Sequence, residues 1–247
     1  MKGWHIFSHS ISLVWRNMYQ ALQIGLVPVV ILVGLVTLLV PRIGLEMGTT
    51  LRNDALKDAV QSGQISLFPI FLIVLLWLLI TIWIFVSWHR YVLMEEYPKG
   101  WIPAFRMDRI LSYIGHGLKL LLAMFGISVL IVLLSVATGG IAFVLILAVA
   151  VIIYRFVAIL PAAAIGEPLT LREAWNATRG STGSIIVMLL LFFVLQLVLS
   201  GAIAAMQSIA PILGLASQMT VTLFMSLVNV SVMTTFYGHY VQGRPIG

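Results

Sequence analysis

The residues of this chain that could do chemistry are mostly cations placed at or near the ends of apolar runs. Five of them form the strongest candidate set: Arg90, Arg109, Lys119, Arg155 and Arg179. Basic pockets between membrane helices bind the anionic headgroups of lipids. The pattern therefore favours an anionic-lipid site built from these five residues, with His116 beside it.

Arg155 is the most unusual of the five, because about ten apolar residues follow it before its run ends. At 1.5 Å per residue, the backbone of Arg155 would lie about 15 Å from that end of the helix. A charge at such depth is rare and is usually paired or functional, although an arginine can also snorkel to the interface. Two interpretations stay open: Arg155 bonds carbonyls, Glu167 or a lipid phosphate structurally, or it belongs to the lipid site.

The last apolar run carries uncharged polar residues at helical spacing. Gln218, Thr222, Ser226 and Asn229 stand at i, i+4, i+8 and i+11, which places them on one face of a helix. Hydrogen bonding between packed helices would explain them. The alternative is the polar lining of a cavity, which would make the protein a small transporter or channel.

Catalytic and metal-binding patterns are missing from the sequence. There is no cysteine, the five histidines show no ligand spacing, and neither a Gly-x-Ser-x-Gly elbow nor a phosphate-binding loop is present. The three aspartates all stand outside the apolar runs, so a carboxylate proton relay has no members there. We therefore predict no enzymatic activity, no metal and no cofactor.

The composition of the chain indicates whether these residues belong to a soluble protein or to a membrane protein. Of the 247 residues, 61% are hydrophobic and 9% are charged, and the mean hydropathy is +1.10. Soluble domains contain about 25% charged residues, so the sequence predicts an all-α polytopic membrane protein. The net charge of +6 comes from cations beside apolar runs rather than from basic blocks, which favours lipid headgroups over nucleic acid.

Six apolar runs are long enough to cross a bilayer, which takes about 20 residues in a helix. They cover residues 21–40, 67–88, 114–136, 141–165, 183–206 and 212–237. Residues 1–20 place apolar side chains at helical spacing between polar ones, which predicts an interfacial amphipathic helix. A second one is expected near residues 51–60. The predicted organisation is an N-terminal helix, a six-span bundle over residues 21–240 and a tail over 241–247.

The distribution of cations predicts the orientation of the chain. Eleven of the 14 Lys and Arg residues fall on one side, and only Arg42, Arg52 and Lys57 fall on the other. Because cytoplasmic loops carry the excess of Lys and Arg, both termini are expected in the cytoplasm.

Two loops on the basic side share an order of residues. Each has an arginine in the last part of an apolar run or at its end, then Glu and Pro, then Ala and an aromatic, then an arginine before the next run; the aromatics are Phe105 and Trp175. Either the chain contains an internal repeat of span, interfacial helix and span, or inner loops simply favour these residue types. Thr170-x-x-Glu173 in the second loop is a capping box, which predicts a helix starting there.

Residues 165–180 read Ile-Gly-Glu-Pro-Leu-Thr-Leu-Arg-Glu-Ala-Trp-Asn-Ala-Thr-Arg-Gly. This segment, followed by a span, resembles a bacterial multi-pass inner-membrane family related to the membrane domain of glycerophosphodiester phosphodiesterases. The resemblance implies a helical bundle in the bacterial inner membrane. It implies no reaction, because the phosphodiesterase chemistry belongs to a separate soluble domain.

Taken together, the sequence predicts a non-enzymatic inner-membrane protein. It would bind anionic membrane lipids or other integral membrane proteins, in envelope maintenance or as an accessory subunit of a complex. No nucleic-acid partner is expected.

Overall fold

The computed structural model of the chain describes residues 2–40, 66–138 and 142–246, which form a bundle of helices. The helices are α1 (Lys2–Arg16), α2 (Met18–Leu39), α3 (Leu67–Met94), α4 (Met107–Thr138), α5 (Ala142–Phe156), α6 (Ile159–Ile165), α7 (Leu171–Ala177), α8 (Thr182–Ile209) and α9 (Pro211–Tyr240). The described residues contain no β-strand.

Six segments of this bundle are long and apolar enough to cross a membrane. They are Met18–Leu39, Leu67–Met94, Met107–Val136, Leu147–Ile165, Thr182–Ile209 and Ile212–Tyr240. The prediction of an all-α, multi-pass integral membrane protein is thereby confirmed. The helix expected near residues 51–60 and the cations Arg42, Arg52 and Lys57 lie outside the described residues.

The fourth span is broken, which the apolar run did not predict. α5 ends at Phe156 and α6 begins at Ile159, because Pro161 has no N–H and its ring disfavours helical bonding to the carbonyl of Val157. That carbonyl accepts instead from the Leu160 amide at 3.0 Å, in a tighter turn. All seven residues of α6 are buried, and the helix packs against α3, α4 and α9.

Two buried hydrogen bonds fix α3 against α9. Trp88 Nε1 donates to Ser231 Oγ at 2.8 Å, and His89 Nδ1 lies 2.8 Å from Thr234 Oγ1. The Thr234 hydroxyl donates to a carbonyl of its own helix at 2.7 Å. We therefore assign the Nδ1–H tautomer to His89, with the threonine oxygen accepting. These pairs set the register between the two spans.

The N-terminal helix α1 is amphipathic, and its inner face packs against α8 and α9. Gly3, Ile6, Ser10 and Val14 are buried on that face, whereas Trp15 on the other face is exposed. The contact with α8 is close, because a β-carbon at residue 3 would collide with a backbone carbonyl of α8. The helix that the sequence predicts at the interface thus packs as part of the bundle.

The two basic loops differ in structure. Residues 166–181 contain α7, as the capping box predicted, but residues 95–106 contain no helix. Of the two alternatives, the repeat would require an interfacial helix in both loops, and the first loop has none. Pro98 and Pro103 interrupt this loop and disfavour helical bonding.

Substitution of Gly3 tests how closely α1 packs. Gly3→Ala should destabilise the bundle by about 1–3 kcal/mol, because the added carbon forces α1 away from α8. The readout is thermal unfolding in detergent. Gly183→Ala is the matched control, since no atom lies within 4 Å of its added carbon; it should be neutral or stabilising. Equal melting temperatures for the two variants would contradict the close contact.

Candidate functional site

The end of α3 folds back on itself. Glu95 has a left-handed backbone with φ of 55°, and the amides of Glu95 and Glu96 both reach the carbonyl of Arg90. This turn returns the Glu96 side chain to the arginine one turn before the end of the helix.

The Glu96 carboxylate is held between two arginines. Arg90 Nε donates to Glu96 Oε2 at 2.7 Å, and Arg106 Nη2 donates to Oε1 at 3.0 Å. Burial by itself would raise the pKa of Glu96, but the hydrogen bonds from Arg106 and Arg90 outweigh it and lower the pKa overall. Because Arg106 immediately precedes α4, this one carboxylate ties the end of α3 to the start of α4.

A pocket of about 240 Å³ lies beside this pair, between α2, α3 and the loop 95–106. It is lined by Ile24, Ser87, Arg90, Glu96, Tyr97, Pro98, Lys99, Ile102, Pro103, Ala104 and Arg106. Three cations against one carboxylate give the lining an excess of two positive charges. The Ser87 hydroxyl is buried and has no hydrogen-bond partner within the part of the chain that the structure describes. We call this the basic pocket.

Aromatic contacts hold the loop that covers the basic pocket. Trp101 packs edge-on against Tyr19 of α2 at 6.0 Å between ring centroids. Phe105 packs in the same way on Trp83 of α3 at 5.3 Å. Trp101 and Phe105 nevertheless stay exposed, as is typical of aromatic residues at a membrane–water interface.

An apolar cavity of about 210 Å³ lies further along the same helices, between α2, α3 and α9. Its lining is Ala21, Leu22, Gly25, Leu26, Val29, Leu32, Trp77, Ile80, Thr81, Ile84, Phe85, Thr222, Leu223, Ser226 and Leu227. Ile84 is one turn of α3 before Ser87 of the basic pocket. From Ala21 to Leu32 the cavity follows α2 for about 16 Å, at 1.5 Å per residue. We call this cavity the apolar slot; it shares the helices α2 and α3 with the basic pocket but no lining residue.

Arg155 is used to hold α7 in place. Its Nη2 donates to the carbonyl of Trp175 at 2.6 Å, and its Nε donates to Thr178 Oγ1 at 3.2 Å. The guanidinium also lies 3.5 Å from the centre of the Trp175 ring. Arg155 is 9% exposed and forms no ion pair with a described carboxylate, Glu167 included. These contacts favour the structural interpretation of Arg155.

The structure does not bring the five predicted cations into one pocket. Arg90 lines the basic pocket, whereas Arg109 pairs with Asp108 at 2.9 Å and lies against Gly166. Lys119 is exposed on α4, and Arg179 is exposed after α7. The pocket instead takes Lys99 and Arg106, which sequence analysis had counted only for topology. The signal that was missed is Glu96, a carboxylate flanked by arginines six residues before it and ten after it.

The capping box at the start of α7 is present. Glu173 N donates to Thr170 Oγ1 at 3.2 Å, and Thr170 N donates to Glu173 Oε2 at 2.8 Å. Hydrogen bonds from the backbone and the side chain of Thr170 lower the pKa of the Glu173 carboxyl.

The four polar residues predicted on the last span do face a common space. Gln218, Thr222, Ser226 and Asn229 line a groove of about 560 Å³ between α5, α8 and α9. Two further polar residues complete its lining, Gln196 from α8 and Tyr154 from α5. Sequence periodicity could not find these two, because they belong to other helices.

Fold and site together define an integral, multi-pass membrane protein with a basic pocket at one end of its bundle. No family model, curated protein or solved structure matches the chain. The resemblance of residues 165–180 to the membrane domain of glycerophosphodiester phosphodiesterases stays a prediction. Within the described residues, no group of three His, Asp or Glu side chains could hold a metal ion.

Arg155→Lys should loosen α7, because a lysine cannot bond Trp175 and Thr178 together or lie flat on the indole. We expect a loss of about 1–3 kcal/mol in stability and faster amide exchange over residues 166–181. Hydrogen–deuterium exchange in detergent measures both. Arg172→Lys, at an exposed position of α7, is the control. Unchanged exchange in Arg155→Lys would contradict the positioning role.

The Glu96 ion pairs predict a dependence of stability on pH. Because the folded state lowers the pKa of Glu96 below the ordinary carboxyl value of 4.5, its contribution is present above that value and is lost as the pH falls through the folded pKa. Glu96→Gln should therefore melt earlier than the wild type at pH 7, and the two should converge in acid. Glu95→Gln, which removes a carboxylate bonded to neither arginine, is the control. A difference that persists unchanged below pH 3 would argue against the ion pairs as its cause.

Proposed function

We propose that this chain is a non-enzymatic protein of the bacterial inner membrane that binds an anionic phospholipid in the basic pocket. The observation that carries the proposal is the presence of a basic pocket and an apolar slot along the same two spans, α2 and α3. This arrangement matches the two parts of a phospholipid, a charged headgroup and an acyl chain.

The chemistry of the pocket suits a phosphate. An arginine has five N–H donors; Arg90 directs donors to Glu96 and to the carbonyl of Ala164 at 3.3 Å. Arg106 is more available, since its side chain is 51% exposed, and Lys99 adds a mobile point charge. Glu96 holds the two guanidinium groups in place before the ligand arrives, and the remaining excess of positive charge attracts the anion.

The apolar slot suits one acyl chain. It is lined almost entirely by aliphatic and aromatic side chains of α2, α3 and α9. In the basic pocket, the buried hydroxyl of Ser87 has no hydrogen-bond partner among the described residues. Ser87 can donate to a phosphate or ester oxygen.

The expected orientation agrees with this ligand. If the basic loops face the cytoplasm, as the excess of Lys and Arg predicts, the pocket meets the leaflet that carries anionic lipid. Lipid binding of this kind fits envelope maintenance or an accessory subunit of a membrane complex. The exposed Trp101 and Phe105 beside the pocket would contact headgroups or a partner membrane protein.

The double variant Lys99→Gln/Arg106→Gln tests the basic pocket. Each cation near the headgroup contributes about 1 kcal/mol, so losing two should weaken anionic-lipid binding roughly 30-fold. The measurement is native mass spectrometry of the protein titrated with phosphatidylglycerol, and with phosphatidylcholine for comparison. Binding of the zwitterionic lipid should change little.

Lys119→Gln/Arg172→Gln is the charge-matched control, because both residues are exposed and lie outside the pocket. It should bind phosphatidylglycerol like the wild type. Equal losses in the two double variants would show that net charge alone attracts the lipid. Unchanged binding in the pocket variant would refute the site.

A further inference from the structure

A third cavity lies on the side of α9 opposite the apolar slot and differs in chemistry from the basic pocket. This groove is lined by the polar residues Tyr154, Gln196, Gln218, Thr222, Ser226 and Asn229 and by the apolar residues Leu189, Phe192, Phe193, Val221 and Met225. None of these lining residues is charged. Thr222 and Ser226 also border the apolar slot, so α9 separates the two cavities.

Two of the polar side chains of the groove stand in the middle of their spans. Gln196 is the fifteenth of 28 residues in α8, and Ser226 is the sixteenth of 30 in α9. Gln196, Gln218 and Asn229 are exposed on the bundle surface, which in a membrane protein faces lipid. The amide of Gln196 would therefore meet hydrocarbon near the bilayer centre, with those of Gln218 and Asn229 on either side of that level.

Most of these polar groups lack partners among the described residues. Gln218 donates to Thr222 at 3.1 Å, but the side chains of Gln196, Ser226 and Asn229 form no hydrogen bond there. The Tyr154 hydroxyl is buried and also has none. Unsatisfied polar groups are costly in hydrocarbon, which offers neither donors nor acceptors. The groove therefore needs a ligand that supplies both.

The chemistry of the lining restricts that ligand. Carboxamides and hydroxyls both donate and accept, and the aromatic and aliphatic wall suits an apolar body. A phosphate would find no cation here. A charged headgroup would also hold its lipid at the interface, too far away to place polar groups beside Gln196.

We infer that this groove binds an uncharged lipid that carries hydroxyl and ester groups, of the diacylglycerol class. Such a lipid can move to the bilayer centre because it has no charge to desolvate. It can enter sideways, since Phe193 and Gln218 of the lining are exposed on the bundle surface. The hydroxyl and carbonyl groups would bond the amide of Gln196 and one of the two amides on α9, because Gln218 and Asn229 are about 16 Å apart along that helix at 1.5 Å per residue. This inference does not depend on the anionic site.

The test is lipid analysis of the full-length protein purified in mild detergent. Organic extracts of the wild type, of Gln196→Leu/Gln218→Leu and of Ser200→Leu are quantified by mass spectrometry for neutral lipids and for phospholipids. Ser200→Leu is the control, because Ser200 lies one turn from Gln196 on α8 and outside the groove. Val221→Phe fills the groove and keeps every polar residue.

We expect stoichiometric neutral lipid in the wild type and in Ser200→Leu, and a roughly tenfold loss in the double variant, which corresponds to about two missing hydrogen bonds. Val221→Phe should lose the neutral lipid too, with phospholipid content unchanged in all four proteins.

The mass identifies the lipid. A diacylglycerol supports the inference, whereas an isoprenoid alcohol or quinol would overturn the proposed lipid class while retaining the site. The inference would be overturned if no neutral lipid were found, or if all variants carried the same amount of it. A span of a partner protein occupying the groove would also overturn it. Uptake of a water-soluble solute into vesicles, abolished by Val221→Phe, would instead assign the groove to transport.

Discussion

Backbone carbonyls at the end of a helix have no partner within that helix, and at the basic end of this bundle arginines supply one. Arg155 bonds the carbonyl of Trp175 in α7, and Arg90 bonds that of Ala164 in α6. Arg244 bonds two carbonyls in the last turn of α3, the shorter contact being 2.6 Å. Cations are favoured at these positions because the C-terminus of a helix carries partial negative charge. Each arginine comes from a different part of the chain, so together they join the helix ends into one surface.

This constraint divides the cations of the molecule into two kinds. Arg155 and Arg244 bond backbone carbonyls, so substituting them would first lower the stability of the fold. Arg106 and Lys99 have freer side chains beside a pocket and can respond to a ligand. Arg90 belongs to both kinds, because it bonds a carbonyl and Glu96 while lining the pocket. A cluster of basic residues in a sequence therefore says little about binding until the partners of each residue are known.

Sequence alone predicted what depends on local pattern. The six spans followed from runs of apolar residues, the cap of α7 from Thr170 and Glu173, and the shared face of Gln218 and Asn229 from helical spacing. These features need only neighbours within about a dozen residues.

What the sequence did not predict depends on contacts across the chain. Arg155 donates to a carbonyl twenty residues away. From the sequence alone, this structural role could not be distinguished from a role in binding lipid. Gln196 and Tyr154 join the groove only because α5, α8 and α9 meet. Pro161 in the apolar run was a signal for the break before α6. Membrane helices often tolerate proline, however, so the sequence did not predict whether the helix would break there.

The position of α1 has a consequence for how the protein is made. This helix is synthesised before the spans that follow it, yet it packs against α8 and α9, with Ser10 Oγ lying 3.1 Å from Thr235 Oγ1. Until those spans have entered the bilayer, its buried face has only lipid to cover it. An amphipathic helix can wait in that state at the membrane surface. The packing of α1 against the last two spans can therefore form only after the rest of the bundle has been made.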